Sequence, residues 1–111
     1  DTNRLSTPPV RLADIQRAVC GVFEVDAKTL RSDKRTKAVT EPRMLAMFLA
    51  RKMTGSPWSE IGDYFGRRSH STVIAAHRRV EKLLASSEPT RLVAGDLGET
   101  IRRVEAALRT A

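Results

Sequence analysis

Residues 44–50 read Met-Leu-Ala-Met-Phe-Leu-Ala, seven apolar side chains without a break. A helix that is apolar on nearly every side belongs at the centre of its domain, wrapped by others. Its start is predicted at Thr40 to Pro42, a capping hydroxyl followed by proline in the first turn. Thr54, Gly55 and Ser56 stop it. The rest of the chain supplies the wrapping. Leu12, Ile15, Val19, Val22 and Phe23 make one helical stripe, and Leu97, Ile101, Val104 and Leu108 make another. Asp26 is placed to cap a single turn ending near Leu30. No sustained period-2 run and no Asn-Gly hairpin turn is present. The expectation is an all-α fold, a small helical domain of five to six helices. Residues 1–9 read as a flexible N-terminal tether, and residues 10–111 as one domain.

Composition narrows the function. The 111 residues carry 20 Lys+Arg against 13 Asp+Glu, a net charge of +7. That balance favours a polyanionic partner. No apolar run is long enough for a membrane span. No secretory leader opens the chain, and a start at Asp1 reads as a piece of something longer. The single cysteine, Cys20, cannot form an internal disulfide and reads as a small buried hydrophobe in a reducing, cytoplasmic setting. No Walker-type phosphate loop occurs, and Gly95-Asp96-Leu97-Gly98 does not supply one. No catalytic set appears either. The expectations are therefore no enzyme, no cofactor in this chain and no metal, since His70 and His77 are off zinc spacing.

Two short helices joined by a glycine-containing turn, residues 57–65 and 70–85, have helix-turn-helix spacing. Ser56 is expected to cap the first, with Pro57 at its first position and Trp58, Ile61, Gly62 and Phe65 facing inward. Val73, His77, Val80 and Leu84 make the inner stripe of the second. A second helix so braced offers its N-terminus to the DNA major groove. That end carries Ser69, His70, Ser71 and Thr72, and its free N–H groups and dipole suit phosphate. A plain structural hairpin is the competing reading of the spacing. Ahead of the central helix, residues 31–37 form a polar, basic run without an apolar anchor, hence a surface loop. Arg78, Arg79 and Lys82 face outward, either as a solvated face or on the DNA backbone. Arg102, Arg103 and Arg109 read as surface.

The run Glu60-Ile61-Gly62-Asp63-Tyr64-Phe65-Gly66-Arg67-Arg68-Ser69-His70-Ser71-Thr72-Val73 resembles the signature of the C-terminal DNA-binding domain of DnaA, the bacterial chromosomal replication initiator. The family pattern is close to E-I-G-x-x-F-G-G-R-D-H-T-T-V. Pro42-Arg43-x-x-Ala46-Met47 resembles its P-R-Q-x-A-M, and the basic run before Val39 its R-x-x-x-V segment. The resemblance extends from about Val10 to the last helix. It implies sequence-specific binding of double-stranded DNA at a DnaA-box-like site in a replication origin, by a nucleoid-associated bacterial protein. It implies base contacts from Arg35 in the minor groove and from Ser69, His70 and Ser71 in the major groove. Phosphate contacts are implied for Lys34, Lys37, Arg43, Arg51, Arg67, Arg68 and Thr72. The isolated domain is expected to be a monomer.

Departures from the pattern bear on specificity. The family's Asp before the histidine is Ser69, a neutral group that still caps the helix. Its first Thr is Ser71, without the methyl that packs on thymine. Its second Gly is Arg67, its Gln after Pro-Arg is Met44, and its Leu-Pro pair is Trp58-Ser59. The same docking mode with an altered preference is expected. Alternatives are a helix-turn-helix attached to a transposase or a transcription regulator, and a module that docks an acidic protein.

Overall fold

The computed structural model describes residues 10–86, 90–93 and 95–110. The expected tether, residues 1–9, lies outside them. Among the described residues there are six helices: α1 (Leu12–Phe23), α2 (Ala27–Leu30), α3 (Lys37–Thr54), α4 (Trp58–Tyr64), α5 (His70–Ala85) and α6 (Leu97–Thr110). Two strands of two residues each, β1 (Arg91–Leu92) and β2 (Gly95–Asp96), pair antiparallel between α5 and α6. The all-α reading holds. The ladder went unread because two-residue strands cannot display a period.

The apolar run is the centre of the domain. Leu45, Ala46, Leu49 and Ala50 of α3 are fully buried, with Met47 and Phe48 nearly so. Helices α1, α2, α4 and α5 pack on α3, and α6 packs on α1. The stripes supply the facing side chains: Ile15 and Val19 from α1, Leu30 from α2, Ile61 from α4, Val73 and Val80 from α5, and Leu97 and Val104 from α6. Each such burial stabilises by roughly 1.5–3 kcal/mol. In α5 the stripe continues through Leu83, which packs against the core, while the expected Leu84 is 45% exposed. Both residues lie within one turn of Val80, so period alone does not choose between them.

Local chemistry sets the helix ends. The Asp26 carboxylate accepts the Thr29 amide at 2.7 Å, and Ser69 caps α5 by accepting the Thr72 amide at 3.3 Å. Helix α3 begins a turn earlier than its proline suggested: the Thr36 carbonyl accepts the amides of Val39 and Thr40 at 2.9 and 2.8 Å. Pro42 therefore sits inside the helix. Its missing N–H leaves the carbonyl of Ala38, an exposed residue, without its i+4 amide donor. Gly55, at φ +66°, ends α3 with its amide on the Arg51 carbonyl. Ser56 does not cap α4. Its hydroxyl meets Thr54 Oγ1 at 2.7 Å, and Pro57 is the capping position. The hairpin is tied down by Glu41 of α3, whose carboxylate accepts the Val93 amide at 2.7 Å.

Candidate nucleic-acid interface

Helices α4 and α5 meet through a tight turn whose close approaches depend on glycine at two positions. Gly62 lies in α4, and a Cβ there would stand 2.1 Å from the Arg68 carbonyl oxygen. The Arg68 amide donates back to the Gly62 carbonyl at 2.8 Å. Gly66 has φ +100°, and a Cβ on it would stand 2.4 Å from the Arg31 carbonyl oxygen. So α4 presses on the turn, and the turn presses on the basic loop. Arg67 follows with φ +61°, a left-handed conformation that costs a side-chain-bearing residue roughly 1–2 kcal/mol. Arg67→Gly is expected to stabilise the domain by about 1 kcal/mol in urea unfolding, while removing an exposed cation beside α5.

The N-terminus of α5 is open. Ser69, His70, Ser71 and Thr72 are all exposed. His70 and Ser71 have no cap to maintain. Ser69 does: its Oγ accepts the Thr72 amide and lies 3.0 Å from Thr72 Oγ1. Part of its hydrogen-bonding capacity is therefore committed inside the helix end. The basic loop is equally open at Lys34, Arg35 and Thr36, and Lys37 is exposed in the first turn of α3. The helix dipole disfavours a cation at that position, so Lys37 does not serve the stability of α3.

Three arginines for which the family pattern implies phosphate contacts also make contacts within the protein. Arg43 is 7% exposed, and its guanidinium holds three backbone carbonyls. Nε donates to Leu30 at 2.8 Å, and Nη2 donates to Ser32 at 2.8 Å and Lys34 at 3.1 Å. Burial pulls the Arg43 pKa below its ordinary value, Arg68 adds to that, and Asp33 opposes it. Arg68, half-buried, donates Nη2 to the Ser32 carbonyl and places Nη1 3.7 Å from Asp33 Oδ1. Arg51 donates Nη1 to the Ser56 carbonyl at 2.9 Å and stacks its guanidinium 4.2 Å from the Trp58 ring centre. The physical reason is shared. A polar loop packed against a core carries carbonyls that need donors, and arginine supplies several from one planar group. The sequence signal is partial: the loop of residues 31–37 has no apolar anchor and has to be held by something else, but the sequence does not say which arginine holds it.

His77 lies inward as its period implied, whereas Cys20, expected to be buried, is only partly so. His77 packs between Phe48 and Trp58, with ring centres at 5.0 and 5.4 Å, and its Nε2 lies 3.4 Å from Glu81. Cys20 is half-buried, and burial, with a contribution from Asp26, pushes its thiol pKa up. Arg78, Arg79 and Lys82 are exposed on α5. Sequence reasoning placed Arg31 in the basic run but missed its stacking, with the guanidinium 5.3 Å from the Tyr64 ring centre, and the joint at the Ser32 carbonyl. Among the described residues no group of three or more His, Cys, Asp or Glu is placed to hold a metal ion. No described helix is long and apolar enough to cross a membrane.

The arrangement is an exposed polar helix N-terminus beside an exposed basic loop, with the two joined through the backbone at Ser32. A sequence model of the family described as bacterial dnaA protein helix-turn-helix matches residues 12–80. The matched stretch is more than half of the chain and runs from α1 into α5, through both the basic loop and the turn. The chain belongs to the bacterial DnaA helix-turn-helix family, and it is a double-stranded-DNA-binding module.

Proposed function

We propose that the domain recognises a DnaA-box-like duplex at a replication origin, as the box-reading module of a bacterial, nucleoid-associated initiator. His70 and Ser71 read base edges in the major groove, with Ser69 contributing through what its cap leaves free. Arg35 reads the neighbouring minor groove, where A·T-rich sequence narrows the groove and deepens its negative potential. Lys34, Lys37, Arg67 and Thr72 hold phosphates and fix register. ATP-coupled work belongs to other parts of such an initiator, and this domain binds DNA as a monomer without a cofactor.

The observation that supports this reading most is the joint at Ser32. Arg35 lies three residues beyond it, and His70 lies two residues beyond Arg68. Two candidate base readers therefore flank one fixed point. Substitution separates their roles from those of the phosphate binders. His70→Ala and Arg35→Ala are each expected to cost roughly 1–3 kcal/mol on a duplex of the TTATCCACA type and little on a scrambled duplex. Lys34→Ala is expected to weaken both duplexes alike and to flatten the salt dependence by about one unit. Fluorescence anisotropy on both duplexes at several salt concentrations reads each quantity. Equal losses on both duplexes for all three variants contradict the division of roles.

A further inference from the structure

Arg43 and Arg68 come from different parts of the fold and converge on one atom. Both donate to the Ser32 carbonyl oxygen, Arg43 from inside α3 and Arg68 from the turn before α5. A carbonyl has two lone pairs, so the double contact is chemically complete. The two cations repel, and Asp33, 3.7 Å from Arg68 Nη1, offsets part of that repulsion. Arg43 also holds the carbonyls on either side, those of Leu30 and Lys34. Gly66 closes the contact by letting the turn meet the Arg31 carbonyl.

The loop has little else to position it. Arg31, Asp33, Lys34, Arg35 and Thr36 are exposed, Ser32 is half-buried, and no apolar side chain lies among them. Apart from the two arginines, the segment is held by short-range bonds, from Ser32 Oγ to the Thr29 carbonyl at 2.6 Å and from the Lys34 amide to Ser32 Oγ at 3.3 Å, and by Arg31 over the Tyr64 ring. Only the arginines tie it to α3 and to the turn before α5 through hydrogen bonds. A freed loop keeps its charge and still meets phosphates. It loses its fixed offset from α5.

We propose that Arg43 and Arg68 are positioning residues that set the offset between Arg35 and the N-terminus of α5, so that the domain accepts one spacing between the minor-groove and major-groove parts of its site. The inference rests on the two-groove reading above. Its physical basis is preorganisation: a loop held in place adds no ordering cost on binding, and a fixed loop penalises a shifted site. The specificity of the domain then depends on two side chains whose guanidinium groups are spent on the loop's own backbone.

The test uses the whole chain, three duplexes and a double-mutant cycle. The duplexes are the TTATCCACA-type box, the same box with one base pair inserted between its minor-groove and major-groove parts, and a scrambled sequence. The variants are Arg68→Ala and Arg43→Lys, each alone and combined with Arg35→Ala. Arg43→Lys keeps a cation and a donor at the buried site, and Arg68 is only half-buried, so melting curves screen both for folding. The wild type is expected to prefer the intact box over the inserted box by about tenfold or more. Arg68→Ala and Arg43→Lys are expected to erase most of that preference, with a smaller change on scrambled DNA. In the Arg35→Ala background the same substitutions are expected to change box selectivity less than about twofold. Additive losses in that background, or a spacing preference that survives both variants, overturn the brace and leave the two-groove reading standing. A wild-type domain indifferent to the box overturns both.

Discussion

Gly62→Ala is expected to cost about 3 kcal/mol or more, lowering the melting temperature by on the order of 10–20 °C. Helix propensity alone predicts the opposite sign. Gly62 lies within α4, and replacing a helical glycine with alanine ordinarily stabilises by about 1 kcal/mol. Packing decides the outcome. The added Cβ would lie 2.1 Å from the Arg68 carbonyl oxygen, 3.1 Å from its carbon and 3.3 Å from Val73 Cγ2. Two of these atoms are backbone and cannot rotate away. The Arg68 amide is meanwhile bonded to the Gly62 carbonyl, so relief means separating α4 from the turn that launches α5. Urea or thermal unfolding followed by circular dichroism gives the sign directly. A stabilised Gly62→Ala variant contradicts the close approach of α4 and the turn.

Gly66→Ala is the second large effect, expected at roughly 2–4 kcal/mol, and two causes contribute to it. At φ +100° a side-chain-bearing residue is strained whatever the space around it, and here the Cβ would also meet the Arg31 carbonyl oxygen at 2.4 Å. Gly55→Ala separates the causes. Gly55 has φ +66° and nothing within 4 Å of its Cβ position, so only the conformational cost applies, about 1 kcal/mol. The excess at Gly66 measures the contact between turn and loop. DNA binding supplies a second readout. Gly66→Ala is expected to lower box selectivity even under conditions where the variant is fully folded, and Gly55→Ala is not. Equal effects at the two glycines mean that the loop does not bear on the turn.

Much of the fold was legible because burial at helical period is a direct consequence of helix geometry. The stripes Ile15–Val19 and Leu97–Ile101–Val104 and the apolar run of α3 all lie in the core. Capping chemistry was legible at Asp26 and Ser69, where a short polar side chain has one obvious amide to accept. It misled at Pro42 and at Ser56. Proline favours the first turn but can sit further inside a helix where packing offsets the lost hydrogen bond and the clash with the i−4 carbonyl, so it marks a helix start only loosely. Ser56 had a nearer partner in Thr54.

The candidate interface was legible in its exposed part and opaque in its internal part. His70, Ser71, Thr72, Lys34 and Arg35 are open, as their polar and basic patterns implied. Arg43, Arg51 and Arg68 carry the same charge and the same family positions, yet each spends its guanidinium on backbone carbonyls. Charge alone does not separate an arginine that faces DNA from one that holds the loop facing it. The distinction depends on which carbonyls the chain leaves unpaired, and that is set only once α2, α3 and the turn have come together.

The most direct test of specific DNA recognition is anisotropy of the wild-type chain on a TTATCCACA-type duplex and on a scrambled duplex, at low and at physiological salt. Box-selective binding that survives the higher salt is the expected result, because base contacts do not share the counterion dependence of phosphate contacts. Equal binding to both duplexes, lost together as salt rises, would contradict it.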